Sequence, residues 1–309
     1  PLKNEFWQWS DRAQQYYWTR WPGKDANGQT VRLPQYNWAG EAWPTEAEKV
    51  VKFWMSTGLD GMILDAVNWY TGATWQKIDE RITDPISSFG RKFSQPEGGG
   101  AFRTDDPVGW ITEGHFSNLY DYGLGIWWEK NNQPLKQSVE TANPGLLENA
   151  LRNYHDRVVA AGGTLYMPVP KMHDADQQQM AEALLATSGD LLCYCDPRGG
   201  VTQPAVGIPA LLKLKARHLA LYQNSTRRRI ATNDDTHFYA TLRDAADHSE
   251  RLLIVFNFQS QPAQVEVDLG AIHGSTFMDL DNAAVPAIRN GSMILDLPPY
   301  GHRILEVSK

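Results

Sequence analysis

The strongest constraint on the fold is an order that repeats along the chain: an amphipathic run, a glycine, then a short apolar run. "TEAEKVVKFWMSTG" (residues 45–58) leads into "GMILDAV" (61–67), and "NPGLLENALRNYHDRVVAAGG" (143–163) leads into "TLYMPV" (164–169). "DADQQQMAEALLATSG" (174–189) leads into "DLLCYC" (190–195), and a further helical run, "IPALLKLKARHLALY", follows at 208–222. Parallel strands need a long crossover between them, and a helix is the usual one. Helix, glycine and strand in repetition therefore predict an α/β domain with a parallel sheet. In the first of these helices Thr45 and Glu48 have the spacing of a capping box. Ala47, Val50, Val51 and Trp54 fall on one face, and Gly58 suits the end.

The pattern changes on either side of this region. Residues 1–43 are rich in aromatics and broken by Pro, Gly and Asn, with no long periodicity, which predicts a loop-like subdomain or an active-site wall. From about residue 229 short strand candidates take over: "FYATLRD", "RLLIVFNF", "AQVEVDLG", "STFMDL", "SMILDL" and "HRILEV". Val265, Val267 and Leu269 alternate with polar residues, as in an antiparallel sheet with one wet face. The expected division is 1–43, an α/β part at 44–228, and a C-terminal antiparallel β-sandwich at 229–309.

Charge and composition narrow the function. A net charge of -7 over 309 residues gives no basic footprint for nucleic acid or for an anionic membrane surface. No apolar run approaches the roughly 18 residues of a transmembrane helix. The opening "PLKNEFWQWS" lacks the basic start and hydrophobic stretch of a signal peptide, and the compartment stays open. The two cysteines, Cys193 and Cys195, point to one side of a strand and read as small packing residues. Twelve tryptophans and twelve tyrosines leave aromatic rings to spare for stacking on flat ligands, beyond those a core uses.

Three acids stand at strand ends. Asp65 ends "GMILD", Glu113 ends the candidate strand "VGWITE", and Asp174 follows "TLYMPVPKMH". In a parallel α/β barrel active sites are built at that end. Three acids on one rim suit glycoside chemistry, with a nucleophile, a proton donor and a third group that orients the sugar. Each acid also has a structural alternative. Asp65 fits a cap or a buried ion pair, Glu113 fits an ordinary strand end, and Asp174 with Asp176 fits the cap of the following helix.

The motifs resemble the α-amylase superfamily, glycoside hydrolase family 13. "GLDGMILDAVNW" (58–69) is similar to the fourth-strand motif and implies Asp65 as nucleophile. "GWITEGHF" (109–116) resembles the fifth-strand motif and implies Glu113 as acid/base. "PKMHDADQQQM" (170–180) resembles the seventh-strand motif, with His173 binding substrate and Asp174 stabilising the transition state. Trp69 and Tyr70, just after the nucleophile, are implied as substrate contacts, and residues 1–43 as a B-subdomain-like region. "LPPYGHRILEV" (297–307) is similar to the last strands of the family's C-terminal domain. Two positions depart from the pattern. Ile63 stands where the family has Arg, and Met172 where it has Asn.

The resemblance implies a (β/α)8 TIM-type barrel of which about strands 4–8 lie in this chain, and a retaining hydrolase of α-glucosidic bonds in oligosaccharides or α-glucans. Its rivals are a transglycosylase or sugar isomerase of the same fold, and a sugar-binding homologue impaired by Ile63. The chemistry requires no cofactor, while the family allows a structural calcium. Five parallel strands cannot close a barrel, so additional polypeptide carrying the N-terminal barrel half, or self-association, is expected.

Overall fold

The computed structural model describes residues 7–24, 27–28, 30–70, 72–97, 106–125, 132–189, 191–193, 205–272, 276–280 and 286–308. The chain divides into two compact units, Pro1–Ser117 and Asn118–Lys309.

The first unit opens with an antiparallel meander where the sequence suggested loops. Its strands are β1 (Trp7–Ser10), β2 (Gln15–Lys24) and β3 (Thr30–Pro34), in that order. Cross-strand ring pairs explain why it forms. Trp7 lies opposite Trp18 with ring centroids 5.4 Å apart, and Trp9 opposite Tyr16 at 5.1 Å. Such pairs stabilise a hairpin without any apolar alternation.

Helix α1 (Ala42–Ser56) begins three residues before Thr45, so the expected capping box is not used. Glu41 is the N-cap and makes no side-chain cap bond. Glu48 instead pairs with Lys52 and Arg81. Pro44 falls in the first turn, where a missing N–H costs nothing. The buried face is Pro44, Ala47, Val51 and Met55, while Val50, Phe53 and Trp54 are exposed.

Strand β4 (Gly61–Leu64) pairs in parallel with β5 (Phe93–Pro96). The strands approach so closely that a Cβ at Gly61 would lie 2.0 Å from the Phe93 carbonyl oxygen, so position 61 has room only for glycine. Their crossover runs through α2 (Trp75–Ile78) and α3 (Asp84–Ser87), joined by one wide turn at Asp79–Thr83.

The expected strand "VGWITE" is helix α4 (Pro107–Thr112). Asp106 caps it, accepting from the Val108 N–H at 3.0 Å, and Pro107 holds the first turn. Trp110 is buried edge-on against Trp75 at 4.7 Å.

The second unit carries three parallel strands in the order β6 (Asn118–Tyr120), β7 (Thr164–Pro168), β8 (Leu191–Cys193). Between β6 and β7 lie α5 (Pro134–Glu140), α6 (Pro144–Ala150) and α7 (Asp156–Ala160). The Asn143 and Pro144 signals act as read, with the Asn143 side chain accepting from the Gly145 N–H at 3.0 Å. Helix α8 (Ala175–Ser188) joins β7 to β8 and is buried nearly all round, and α9 (Ile208–Lys215) follows. Cys195 lies outside the described residues.

The C-terminal strands are β9 (Thr226–Ile230), β10 (Phe238–Asp244), β11 (Arg251–Asn257), β12 (Ala263–Asp268), β13 (Thr276–Asp279), β14 (Ala287–Arg289), β15 (Ser292–Leu297) and β16 (His302–Ser308). They form two antiparallel sheets, β13-β16-β11-β10-β9 and β12-β15-β14. Strand β11 is buried on both faces. Leu253 and Val255 meet the second sheet's Val265, Val267 and Met293, while Leu252, Ile254 and Phe256 join the helical core around Leu184 and Leu185. The sandwich and these helices therefore share one core, and the expected division at 228/229 falls inside a single compact unit.

Candidate active site

Asp65 follows the last residue of β4, and Glu97 follows the last residue of β5. Ile63 pairs with Gln95 and Leu64 with Pro96, and the Glu97 N–H donates to the Leu64 carbonyl at 2.7 Å. Partners across a parallel pair face the same way, and each strand alternates with period two. Ile63, Asp65, Gln95 and Glu97 thus share one face, with the two acids side by side at the strand ends.

Hydrogen bonding with the Asp65 side chain is the first reason the Glu97 carboxyl is raised from 4.5 to about 7, and partial burial and the Asp65 charge push in the same direction. The Ala66 N–H bonds to Glu97 and pulls the other way. Near neutral pH Glu97 therefore still keeps its proton in a substantial share of the molecules.

Ala66 has φ 50° and ψ 41°, a left-handed conformation that is costly for a residue with a Cβ. It turns the chain into a 3-10 turn at Val67–Trp69 and directs its own N–H to Glu97.

A cavity of about 410 Å³ opens beside Asp65, lined by Pro34, Gln35, Tyr36, Trp38, Trp43, Asp65, Ala66, Trp69 and Tyr70. That volume is within the range of small-molecule pockets. Its loop is held by one lysine: Lys77 Nζ donates to the carbonyls of Trp38, Ala39 and Gly40 at 3.1, 3.0 and 3.2 Å. Lys77 also pairs with Glu41 at 2.9 Å.

The structure thus brings together Asp65, Trp69 and Tyr70 from the sequence reading and adds Glu97, which that reading missed. Glu113 lies on no strand. It caps the C-terminal end of α4, exposed, and is not among the residues that line the cavity. Apolar residues at 108, 110 and 111 suit a strand, but the Asp106 cap and Pro107 in the first turn start a helix there instead. The available signal for Glu97 was the short run "FSQP" ending in an acid and a glycine run, at crossover distance from β4.

His173 and Asp174 lie in the second unit. Asp174 caps α8, accepting from the Gln177 N–H at 2.8 Å, and the exposed His173 stands 3.5 Å from Glu140 Oε1. The loop that carries them is tied down by Gln178, which accepts from the Met172 N–H at 2.9 Å and donates to the Pro170 carbonyl at 3.2 Å. Among the described residues no group of three or more His, Cys, Asp or Glu comes together to hold a metal. None of the described helices is long and apolar enough to cross a membrane.

Comparison with known proteins agrees with this architecture. Residues 250–305 match the family described as sucrose hydrolase-like, C-terminal domain. An alpha-glucosidase of Schizosaccharomyces pombe is 30% identical over 78 residues, which is 25% of this chain and 12% of that protein. The acarbose-soaked debranching enzyme of Nostoc punctiforme superposes with TM-score 0.61 at 15% identity, covering 90% of this chain and 63% of that one. An alpha-amylase from H. orenii gives TM-score 0.65 at 13% identity, covering 98% of this chain and 70% of that one. The chain therefore spans less than two thirds of the debranching enzyme and about an eighth of the alpha-glucosidase. The chain thus shares the fold of the amylases and debranching enzymes, and within it residues 250–305 are similar to a sucrose hydrolase-like C-terminal domain.

Proposed function

We propose that this chain carries the catalytic pair of a retaining glycoside hydrolase that cleaves α-glucosidic bonds of oligosaccharides or α-glucans. Asp65 attacks the anomeric carbon while Glu97, in the role the resemblance implies for Glu113, protonates the departing oxygen. Water then deprotonated by Glu97 releases the sugar from Asp65. The observation that carries this reading is the Asp65–Glu97 hydrogen bond, with Glu97 raised to about 7. A general acid works best with its proton still available near the working pH. Carboxyls in hydrogen-bond contact also lie nearer to the roughly 5 Å spacing of retaining enzymes than to the wider spacing of inverting ones.

His173 and Asp174 keep the roles implied by the family, as substrate contact and transition-state stabiliser. No metal enters the reaction, because both steps run on carboxyl groups. Transfer to a second sugar in place of water is the rival chemistry, and product analysis with added acceptor sugar separates the two. A further polypeptide or a second copy is part of the proposal. Among the described residues β4 and β5 pair only with each other, and Val50, Phe53, Trp54 and Ile63 are exposed apolar residues that a partner surface would cover.

The test is a panel of α-glucosides and maltooligosaccharides assayed with the unmutated chain, Glu97→Gln and Glu113→Gln. Glu97→Gln is expected to lose at least about 100-fold in kcat, and Glu113→Gln to keep most activity. The opposite ranking returns the acid/base role to Glu113.

A further inference from the structure

We propose that Tyr300, in the turn that leads into β16, is a positioning residue for Asp174 and acts on it through Gln177, so that the C-terminal sandwich helps to set a carboxylate of the reaction. This deepens the hydrolase reading and rests on it for the role of Asp174. The path is short, and its three residues lie in one compact unit. Asp174 Oδ1 accepts from the Gln177 N–H at 2.8 Å, and the Gln177 side-chain Nε2 donates to the Tyr300 hydroxyl at 3.2 Å. Gln177 is buried and Asp174 is exposed. One buried residue thus holds the acid with its backbone and the sandwich with its side chain. Among the described residues Asp174 Oδ2 has no hydrogen-bond partner. An anchored oxygen beside an open one suits a group that must meet positive charge from a fixed direction.

The turn that carries Tyr300 is strained and firmly held. Tyr300 has φ 49°, a left-handed conformation that is costly for a residue with a Cβ. Its N–H donates to the Gln259 carbonyl at 3.0 Å, and the Gly301 N–H to the Pro298 carbonyl at 3.1 Å. Asn257, buried at the end of β11, donates from Nδ2 to the Pro298 carbonyl at 2.9 Å and from its N–H to the Gly301 carbonyl at 2.9 Å. A Cβ at Gly301 would lie 2.4 Å from Pro298 Cγ. Such strain persists only where the surroundings impose it. A glycine at 300 would relieve it and lose the hydroxyl. The Tyr300 ring packs on the helical core, which a phenylalanine would do equally well. The hydroxyl is what packing does not require, and it meets Gln177.

The loop on the other side of Asp174 is secured separately. Gln178 bonds to Pro170 and Met172, and its Nε2 also donates to Oε1 of the buried Glu182 at 2.9 Å. With the loop fixed from α8 itself, the first turn of α8 is the remaining freedom, and Tyr300 reaches that turn from the sandwich. A group that stabilises charge in a transition state has to be oriented in advance, and a small misplacement is costly.

The test uses the full chain carrying Tyr300→Phe, which keeps the ring and removes the hydroxyl. Two quantities are read: amide hydrogen exchange at Gln177 by NMR, and kcat and KM on maltotetraose. Exchange at Gln177 is expected to quicken about fivefold, the worth of one hydrogen bond. The same factor should be lost from kcat with KM unchanged, because the contact disturbed is one made in the transition state. The amides of Leu253 and Val255 in β11 and the urea midpoint should not move, so a general loosening is told apart from a local one. Gln177→Met keeps the N–H and the chain length but removes the side-chain amide, and it should give the same losses. The double variant should lose no more than either single one, as residues on one path do. Met278→Ala, exposed on β13, should change nothing. Unaltered Gln177 exchange in Tyr300→Phe, faster exchange with unaltered kcat, or fully additive losses in the double variant overturns the proposal. Faster Gln177 exchange in Tyr300→Phe, with no hydrolysis of any α-glucoside by the unmutated chain, would refute the catalytic reading and leave the positioning of Asp174 standing. Hydrolysis by the unmutated chain, with exchange and kcat both unmoved in Tyr300→Phe, would do the reverse.

Discussion

Replacing Asp65 by Asn should make the protein more stable at alkaline pH and change little at acid pH. The Glu97 carboxyl lies at about 7 in the fold, against 4.5 as its ordinary value. An acid raised in this way holds its proton more tightly when folded than when unfolded. Between pH 4.5 and about 7 the native state therefore binds more protons, and stability falls as pH rises through that window. Below it both states are protonated, and above it both are ionised and the native state carries the full penalty. Taken whole, the displacement corresponds to about 3 kcal/mol at 1.36 kcal/mol per pH unit. Glu97 is only partly buried, and solvent screening leaves about 1–2 kcal/mol. Asn at 65 removes the hydrogen bond to a carboxylate and the like charge, two of the three causes, and leaves only the effect of burial. Its amide can also donate to ionised Glu97. Urea denaturation at pH 4.5, 6 and 8, followed by tryptophan fluorescence, reads the outcome. The variant should gain about 1–2 kcal/mol over the unmutated chain at pH 8, and that gain should shrink steadily towards pH 4.5. Parallel stability curves would mean that Asp65 is not what raises Glu97, and the proposed acid role of Glu97 would lose its basis.

Two further substitutions probe the neighbourhood of the pair. Ile63 is 59% exposed and faces the same way as Asp65, so Ile63→Arg places a cation on that face without burying it. The cation should lower Glu97 and move the alkaline limb of the kcat/KM profile to lower pH, and an unmoved limb in a folded variant would show that position 63 does not reach the pair. Lys77→Ala removes the donor shared by three loop carbonyls and should cost about 2 kcal/mol in urea denaturation while raising KM for maltooligosaccharides; a loss below about 0.5 kcal/mol would show that the loop is held by other means.

The fold was legible where one periodicity ran long enough to dominate. The strands β12 and β15 appear as read because alternation over six residues leaves little choice of face, and β11 because its apolar run suits a strand buried on both faces. The Asn143–Pro144 helix start also holds, since cap and proline act locally. Residues 7–34 were harder to read. The β1–β2 pair is held by rings meeting across the strands, and such pairs leave no period along the chain. In α1 the capping box was present in sequence yet bypassed. Tertiary contacts at Pro44 and Met55 fixed the buried face, and Glu48 found Arg81.

Physical cost separates the two acid/base candidates, Glu97 and Glu113, better than pattern does. Strand β5 carries Ser94 and Gln95, both buried, and ends in proline, so nothing in it reads as a strand alone. It is a strand because β4 pairs with it, and that register is what sets Glu97 beside Asp65. Glu113 ends a helix in water and breaks no local rule. Asp65, Ala66 and Glu97 break several. Two carboxyls share a hydrogen bond, one is forced to keep its proton, and the alanine between them and the cavity is left-handed, at about 1–3 kcal/mol for such a backbone. Stability alone would remove all of these, since a glycine at 66 or an amide at 65 relieves them without disturbing the core around Leu64 and Val67. Costs gathered on three residues at the mouth of a preformed cavity are what a site requires when it must hold a proton donor beside a second acid, and Glu97 is the candidate that carries them where Glu113 carries none.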